Sequence, residues 1–321
     1  MARDLELTNY DTLIESIYKS DDHSQERELE EDHPSSPKEI PLSQRGCLFL
    51  FAAYIFSSVY FGSNIPQPDL LIFPDHARLV HQFLGATLPS GESNNEGVVD
   101  AVIMVGIWLE EHNRFVGGPL EDEEFLQLLQ TLSLLSANNP SATIRNAAHM
   151  LTSLILHAHP SDQVRLAFIA DTLEHCPFEA LKGCAVSWLK EEIVVSEERK
   201  SENLFSNTVA LSAVQPYLFP DNSPLAELKD IELFKELGQM YPFHITVVNF
   251  ILFLAGSKYS HVVPTSMFTI VEEIYLSPLL AAVKRVINSA KDADEQAGEQ
   301  DVELLLLAHR SELSLEMMKD I

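Results

Sequence analysis

The chain has 321 residues, of which 46% are hydrophobic, so it can build a substantial core and is not a wholly disordered protein. Its 48 acidic residues outnumber its 21 basic residues and give a formal net charge of −27 at pH 7. Lys and Arg are the residues that hold a phosphate backbone or an anionic membrane, so we expect neither nucleic acid nor membrane as a partner. The same charge favours a basic protein segment as the partner.

The cysteine content and the first residues indicate an intracellular protein. Cys47, Cys176 and Cys184 are odd in number and lack the spacing of metal ligands, which argues against a disulfide-stapled secreted fold. The start, MARDLELTNYD, has acids where a signal peptide would have a basic region followed by an apolar one. We therefore expect a cytoplasmic location, with the nucleus as a second one.

The first 41 residues are predicted to form a short helix and a linker. The first part, residues 1–19, contains the amphipathic stretch TNYDTLIESIYK, which predicts a helix over residues 8–19. Residues 20–41 are rich in acids, Ser and Pro, which is typical of a flexible acidic linker. Three further segments are predicted: a helical repeat domain over residues 42–291, an acidic gap over 292–300 and a C-terminal helix over 301–321.

A charge-free segment from Gly46 to Pro68 raises the alternative of a membrane-anchored protein. Its strongly apolar part, Cys47 to Phe61, would be about 22 Å long as a helix, whereas a bilayer core is about 30 Å thick. Gly62 and two prolines follow, and these residues cannot cheaply extend a spanning helix. We therefore predict a helix that its neighbours bury on most sides.

The next apolar repeats predict helices over residues 76–84, 96–113 and 121–137. The last of these begins with the acids Glu121 to Glu124, which suit the positive start of a helix. Such a cluster could also supply catalytic carboxylates, but the helix start already explains it.

Residues 139–177 contain one pattern twice, 20 positions apart. The corresponding residues are Pro140-Ser141 and Pro160-Ser161, Arg145 and Arg165, Ala147 and Ala167, and Thr152 and Thr172. Proline ends one helix, serine caps the next, and the alanine is expected to let neighbouring helices approach closely. The arginine lies one turn into the helix, where its stem can cover apolar surface and its head can bind a neighbouring loop.

A third helix, predicted over residues 178–193, follows Pro177, so one helix pair occupies nearly 40 residues, the period of HEAT and armadillo repeats. After a polar break at residues 196–207, further helices are predicted over 208–219, 223–240, 242–256 and 265–291. No alternation of strands and helices is present in the sequence pattern. We therefore predict an all-α fold, a HEAT/armadillo-like helical repeat solenoid.

The sequence offers weak candidates for chemistry. The glycine pair Gly117-Gly118 is followed by Pro119 and acids, and these acids would repel a phosphate. We therefore predict a turn at the glycine pair. His149, His157 and His159 are the best candidates for metal ligands, but no nearby carboxylate or thiol completes the set. We therefore predict no metal site, no cofactor and no catalytic residue, and hence a protein that is not an enzyme.

The sequence EHCP, which places His175 beside Cys176, suggests a redox function. A thiolate at the end of a helix faces the negative end of the helix dipole, which raises its pKa and opposes reactivity. Cys184 shares a helix face with Trp188 and fits a core position better. Whether Cys176 or Cys184 changes its oxidation state stays open.

Four stretches of the sequence resemble the fungal branch of the glomulin/Yap-binding protein family. They are IPLSQRGCLFLFAAYIFSSVYFGS, FPDHARLVHQFLG, the long block from SLLSANNPSATIRNAAHMLTSLILHAHP to CAVSWLKEEI, and VALSAVQPYLFPD. They cover most of residues 40–255 in the order found in the family, and the resemblance is to the C-terminal part of longer members. We therefore expect a shortened paralogue or an incomplete gene model that lacks preceding helical repeats.

The resemblance implies a helical, non-catalytic scaffold that acts through protein partners. It implies, as the first alternative, an adaptor for a stress-responsive bZIP transcription factor whose oxidation by a peroxidase the adaptor assists. The second alternative is a regulator that binds the RING subunit of a cullin ubiquitin ligase. The resemblance places no partner-binding residue on this sequence, so the binding face stays unknown at this point.

Overall fold

The computed structural model describes residues 15–17, 43–62, 69–85, 95–117, 120–292 and 299–319. These residues form helices, and their β-structure is limited to one isolated bridge between Phe73 and Val116. The predicted all-α, HEAT/armadillo-like helical repeat fold is thereby confirmed. Of the predicted helix over residues 8–19, residues 15–17 are described and are helical, whereas the predicted linker over 20–41 lies outside the described residues.

The chain divides into two compact units, Met1–Ala158 and His159–Ile321. Each unit has its own core of apolar side chains. The helices of the first unit are α1 (Gln44–Phe61), α2 (Asp75–Leu84), α3 (Glu96–Glu111), α4 (Asp122–Asn138) and α5 (Ala142–Ala158). Within this unit α1 packs on α3, α2 packs on α3 and α4, and α5 packs on α3 and α4.

The second unit begins with α6 (Asp162–His175), α7 (Glu179–Arg199), α8 (Thr208–Leu218) and α9 (Asp230–Leu254). The chain continues with α10 (Met267–Ile270), a π-helical segment (Val271–Leu276), α11 (Ser277–Asp292) and α12 (Glu299–Met318). Short 3₁₀ helices lie at Leu204–Ser206, Ser223–Ala226 and Ser257–Val262. Helix α9 is central, because it packs on α7, α11 and α12.

The predicted break between residues 240 and 242 is wrong, because helix α9 continues through both positions. Pro242 lies inside this continuous helix, although proline lacks the N–H that the helix ladder needs. Apolar side chains before and after the proline are buried in the same packing, among them Leu237 and Phe243. Tertiary burial therefore outweighs the cost of an internal proline, which is about 3 kcal/mol.

The same helix is the one in the described part of the chain that is long and apolar enough to cross a membrane, judged by length and composition only. Its buried side chains include Val247, Val248, Ile251 and Leu254, which contribute to the core of the second unit. A buried polar contact also joins it to α12, where the Ser314 hydroxyl donates to the Val248 carbonyl at 3.3 Å. Packing within the unit therefore accounts for its apolar composition.

The two copies of the repeated pattern begin α5 and α6, and their arginines make the same local contact. Arg145 Nη1 donates to the Asn139 carbonyl at 2.8 Å, and Arg165 Nη1 donates to the carbonyl of His159, the corresponding residue of the second copy. Each arginine head therefore binds the loop in front of its own helix, in agreement with the predicted loop contact. The two repeated threonines are also equivalent, because each is buried and donates its hydroxyl to the carbonyl four residues earlier.

The predicted role of the repeated alanine is wrong. Ala167 is exposed and Ala147 is half-buried, so neither residue is the point where helices approach most closely. In α5 the fully buried small residue is the adjacent Ala148. The two copies therefore share the contact of the arginine with its preceding loop and the hydrogen bond of the threonine hydroxyl, but not a close helix contact at the alanine.

Candidate protein-binding surface

Helix α1 carries apolar residues on two faces, and one of these faces is exposed. Cys47, Leu48, Phe51, Ala52 and Ile55 are buried and form the inner face of the helix, which packs on α3. The outer face holds four exposed apolar residues, which we call the α1 stripe: Phe49, Ala53, Phe56 and Tyr60. The prediction that neighbours bury this helix on most sides is therefore wrong for the outer face.

The spacing of the α1 stripe is that of a single helical face. Its members follow at intervals of four, three and four residues, so they fall in one row about 16 Å long. Phe56 is 49% exposed and Tyr60 is 73% exposed, and Phe61 beside them is 72% exposed. Large aromatic rings at such exposure on one row form an apolar patch, which is typical of protein interaction sites.

The aromatic rings of the stripe are held in contact with one another. The Phe56 and Tyr60 rings stack with centroids 5.3 Å apart, and Tyr60 meets Phe61 edge-on at 5.2 Å. The helix that supports them is capped at both ends. The Ser43 hydroxyl accepts from Gly46 N at 3.1 Å before its first turn, and Gly62, whose φ of 59° suits glycine, follows its last residue. The stripe therefore lies on a regular helix with defined ends.

Acidic residues border the stripe at the Phe49 end. The Phe49 ring covers Gly97 in the first turn of α3, where a β-carbon would come within 3.2 Å of the ring. Glu96 and Asp100, on either side of Gly97 in the sequence, are exposed. Arg45 is the single charged residue of α1 itself and lies one turn before Phe49. The surface thus combines an apolar row with two carboxylates and one guanidinium at the Phe49 end, so that carboxylates outnumber cations there.

The three histidines considered as metal ligands lie on both sides of the division between the two units. His149 and His157 lie on α5 in the first unit, whereas His159 opens the second unit, where its Nδ1 accepts from Ser161 N at 3.2 Å. Within the described ranges, no group of three His, Cys, Asp or Glu side chains could hold a metal ion. The acids Glu121 to Glu124 are exposed and start α4, as the sequence predicts.

The two cysteines of the second unit are unfavourable sites for a thiolate. Cys176 follows the last residue of α6 and is half-buried, and burial raises the pKa of its thiol above the ordinary value. Burial, with a smaller contribution from the neighbouring Cys176, raises the pKa of Cys184 to about 11. The sequence predicts the same direction for Cys176, but its main physical cause is burial rather than the helix dipole.

The second unit contains a buried ion pair that the sequence alone does not predict. Arg165 Nε lies 2.9 Å from Glu192 Oε1, and the two side chains are 10% and 6% exposed. The guanidinium carbon also lies 5.7 Å from the centre of the Phe205 ring. The position of Glu192 on the apolar face of its helix is the feature that could have indicated a buried partner. The pair links α6, α7 and the 3₁₀ segment around Phe205.

A second buried polar group surrounds the π-helical segment. His244 Nδ1 and the Tyr275 hydroxyl share a hydrogen bond of 2.8 Å, and Asn222 donates from its side chain to the Tyr275 carbonyl at 3.1 Å. The Asn222 backbone N–H also donates to the Ile274 carbonyl. Burial lowers the pKa of His244 to about 4 and raises that of Tyr275 well above 10. Both groups are therefore neutral at pH 7 and serve the packing of α9.

His76 is the corresponding buried histidine of the first unit. Its Nε2 donates to the Val102 carbonyl at 2.9 Å, and burial lowers its pKa to about 4. Its ring lies against Gly106, where a β-carbon would come within 2.6 Å. No sequence motif marks His76 or His244, because their burial depends on contacts between distant helices.

A pocket of about 360 Å³ lies between α2 and α4 in the first unit. Arg78, His81, Glu124 and Gln127 contribute its polar lining. The hydroxyl of Thr131, which also lines it, donates to the Gln127 carbonyl of its own helix at 3.0 Å. These contacts do not arrange a nucleophile against a base, so the α1 stripe is the stronger functional candidate.

Comparison with known proteins identifies the family. The model of an uncharacterised protein family described as YAP/Alf4/glomulin matches residues 2–320. Neither the curated proteins nor the solved structures gave a match. The family is compatible with a non-enzymatic adaptor, and its description agrees with the resemblance found in the sequence. Since the match spans nearly the whole sequence, this chain belongs to the YAP/Alf4/glomulin family.

Proposed function

We propose that this chain is a non-enzymatic adaptor that binds a stress-responsive bZIP transcription factor and supports its peroxide-induced oxidation. The observation that carries the proposal is the α1 stripe, a row of exposed apolar side chains on the surface of a strongly acidic protein. Apolar rows of this kind are uncommon on proteins that act alone and are typical of protein-binding surfaces.

Two further observations support a bZIP factor as the partner. The sequence resembles the fungal Yap-binding branch, for which such a factor is the expected partner. The formal charge of −27 also suits a basic DNA-binding region, since opposite charge accelerates and orients association. We propose that this binding takes place in the cytoplasm and that the chain also enters the nucleus.

The adaptor is proposed to act by bringing proteins together rather than through its own thiols. A thiol that relays oxidation reacts as a thiolate, and burial opposes the thiolate form of both Cys176 and Cys184. The oxidising equivalent would come from a partner peroxidase. A chain with Cys176→Ser and Cys184→Ser should therefore support oxidation of the factor as well as the unchanged chain does.

The proposal is tested by purifying the tagged chain from its own cells, with and without a peroxide pulse, and identifying the bound proteins by mass spectrometry. Recovery of a bZIP factor that changes on oxidation is the expected result. The complex should weaken as salt is raised, because screening reduces charge attraction. Recovery of cullin and RING subunits without a bZIP factor would replace the proposal by the ligase alternative, and recovery of neither would overturn it.

A further inference from the structure

The α1 stripe has a defined shape and chemistry, from which the kind of segment that binds it can be inferred. Its four residues form one straight row, and α1 has no charge from Gly46 to Phe61. Glu96 and Asp100 are exposed beside the Phe49 end of the row. An occupant must therefore present apolar side chains along about 16 Å and tolerate or use carboxylates at one end.

We propose that the α1 stripe is the docking site for an amphipathic helix of a basic partner, whose apolar row packs on Phe49, Ala53, Phe56 and Tyr60. Lysine or arginine side chains beside that row reach Glu96 and Asp100 and fix the direction of the bound helix. This inference deepens the proposed function and rests on it for the identity of the partner, since a bZIP factor contains long basic helices.

A helix fits the stripe better than an extended peptide. The residues of the stripe recur at the spacing of one helical face, and a second helix with the same spacing can pack its side chains between them. An extended peptide gains most of its affinity by pairing with an exposed strand edge. The backbone groups of α1 between its ends are already bonded within the helix, so this surface offers no such edge.

Charge decides among the possible occupants. A second copy of this chain would also carry a formal charge of −27, so the two copies would repel each other during association. An anionic lipid surface is opposed for the same reason. A cationic helix is attracted by the whole chain and can also pair with Glu96 and Asp100 at the edge of the stripe.

The test measures binding of three synthetic helical peptides of about 21 residues to the full chain by fluorescence anisotropy. The first peptide has a row of leucines flanked by lysines. The second has the same composition in scrambled order, so that the row is lost. The third keeps the leucine row but replaces each lysine by glutamate. The proposal expects tight binding of the first peptide and weak binding of the other two.

Variants then locate the binding face. Phe56→Glu should weaken binding of the first peptide by about 30-fold, the typical loss when a central aromatic contact is removed from an interface. Phe56→Ala is the milder second variant and should weaken binding in the same direction. Ile231→Glu is the matched control, because Ile231 is exposed on α9 in the second unit, and it should leave the affinity within about twofold.

The acidic edge is tested separately. Glu96→Gln with Asp100→Asn should weaken binding of the lysine peptide by about threefold and reduce its salt dependence, since exposed charge pairs contribute little each. Glu123→Gln is the control, because Glu123 is likewise exposed in the first turn of a helix, in α4. An equal loss with the control variant would contradict the assigned edge.

The outcomes separate this inference from the proposed function. If the scrambled peptide or the glutamate peptide binds as tightly as the first, or if Phe56→Glu binds normally, the docking proposal is overturned. The same holds if anionic vesicles of phosphatidylserine and phosphatidylcholine compete through the stripe. If a bZIP fragment binds and Phe56→Glu has no effect on it, the docking site is wrong but the proposed function stands. If the lysine peptide binds at the stripe and the bZIP fragment does not bind, the proposed function fails and the docking site stands.

Discussion

Helices α1 and α9 have similar apolar sequences but different surroundings. Helix α9 is packed by α7, α11 and α12, and its buried polar residue His244 has a partner in Tyr275. Helix α1 packs on α3 through one face, while its other face exposes Phe56 and Tyr60. Composition predicts burial for both helices, but the neighbouring elements decide which faces are covered. The apolar face of α1 that remains exposed is therefore a candidate for function, whereas α9 is explained by the core.

The largest expected difference between the two helices is in their contribution to stability. Phe250→Ala in α9 removes a ring that is 2% exposed and should lower the free energy of unfolding by about 3–5 kcal/mol. Phe56→Ala in α1 should change it by less than about 0.5 kcal/mol, because this ring is already half in water. Urea unfolding of both variants measures the difference. A large loss with Phe56→Ala would show that the stripe belongs to the core.

The unit that contains α9 also contains the buried ion pair between α6 and α7, and breaking this pair should cost stability as well. Glu192→Met leaves the Arg165 guanidinium buried without its carboxylate and should cost about 3 kcal/mol. The double variant Arg165→Met, Glu192→Met should recover most of this loss, because neither charge is then left unpaired. Arg145→Met in the first repeat copy is the control, and it should cost about 1 kcal/mol through its lost bonds to backbone carbonyls. Equal losses of stability for Glu192→Met and Arg145→Met would contradict the assigned role of burial.

The buried histidine of α9 should make the stability of the second unit depend on pH. The pKa of His244 is lowered to about 4 in the folded chain, so between pH 6.5 and 4 the unfolded chain binds more protons than the folded chain. The contribution of His244 to stability is therefore full above pH 6.5 and falls by about 2 kcal/mol by pH 5.

This loss is measured by following unfolding of the second unit through Trp188 in a Trp108→Phe chain. His244→Phe should make the pH profile between 6.5 and 4 flatter, even though the variant also loses the bond to Tyr275 and is less stable at pH 7. An unchanged slope would mean that His244 does not titrate as a buried group. Because His76 has the same lowered pKa, the first unit should show a similar loss that His244→Phe does not alter.

The smallest expected effects come from two glycines at helix contacts. A β-carbon at Gly183 on α7 would lie 3.1 Å from the Pro242 carbonyl oxygen of α9, and backbone cannot easily move. Gly183→Ala should therefore destabilise by about 1 kcal/mol, despite the better helix propensity of alanine. In Gly97→Ala of α3, the added methyl group would meet side-chain atoms of Phe49 and Asn95, which can shift. The free energy of unfolding should therefore change by less than about 0.5 kcal/mol. Thermal unfolding of the two variants measures the difference, and an equal loss would contradict the closer packing of α9.

The helical architecture could be predicted because its determinants are local. Pro140, Pro160 and Pro177 mark the starts of α5, α6 and α7, and Ser161 caps its helix through a bond to Val164 N. The continuation of α9 through Pro242 could not be predicted in this way. It depends on burial against three other helices, which a single-sequence periodicity does not contain.

The candidate surface could be predicted only in part. The sequence reveals that α1 is apolar on all sides, but not that its Phe56 face is exposed, because exposure depends on where α3 packs. The pairing of Arg165 with Glu192 could not be predicted from the sequence either, because the two residues are distant in sequence and lie on different helices. Local motifs therefore fix the helices, and long-range contacts fix the sites.

The central claim is that the α1 stripe is exposed in the free chain and is covered by a bZIP partner. Hydroxyl-radical footprinting with mass spectrometry measures this directly, on the chain alone and on the chain saturated with a bZIP fragment. We predict that Phe56 and Tyr60 are oxidised readily in the free chain and several-fold more slowly in the complex, while Phe234 on α9 does not change. Equal oxidation of Phe56 and Tyr60 in both samples, with the fragment bound, would contradict the account.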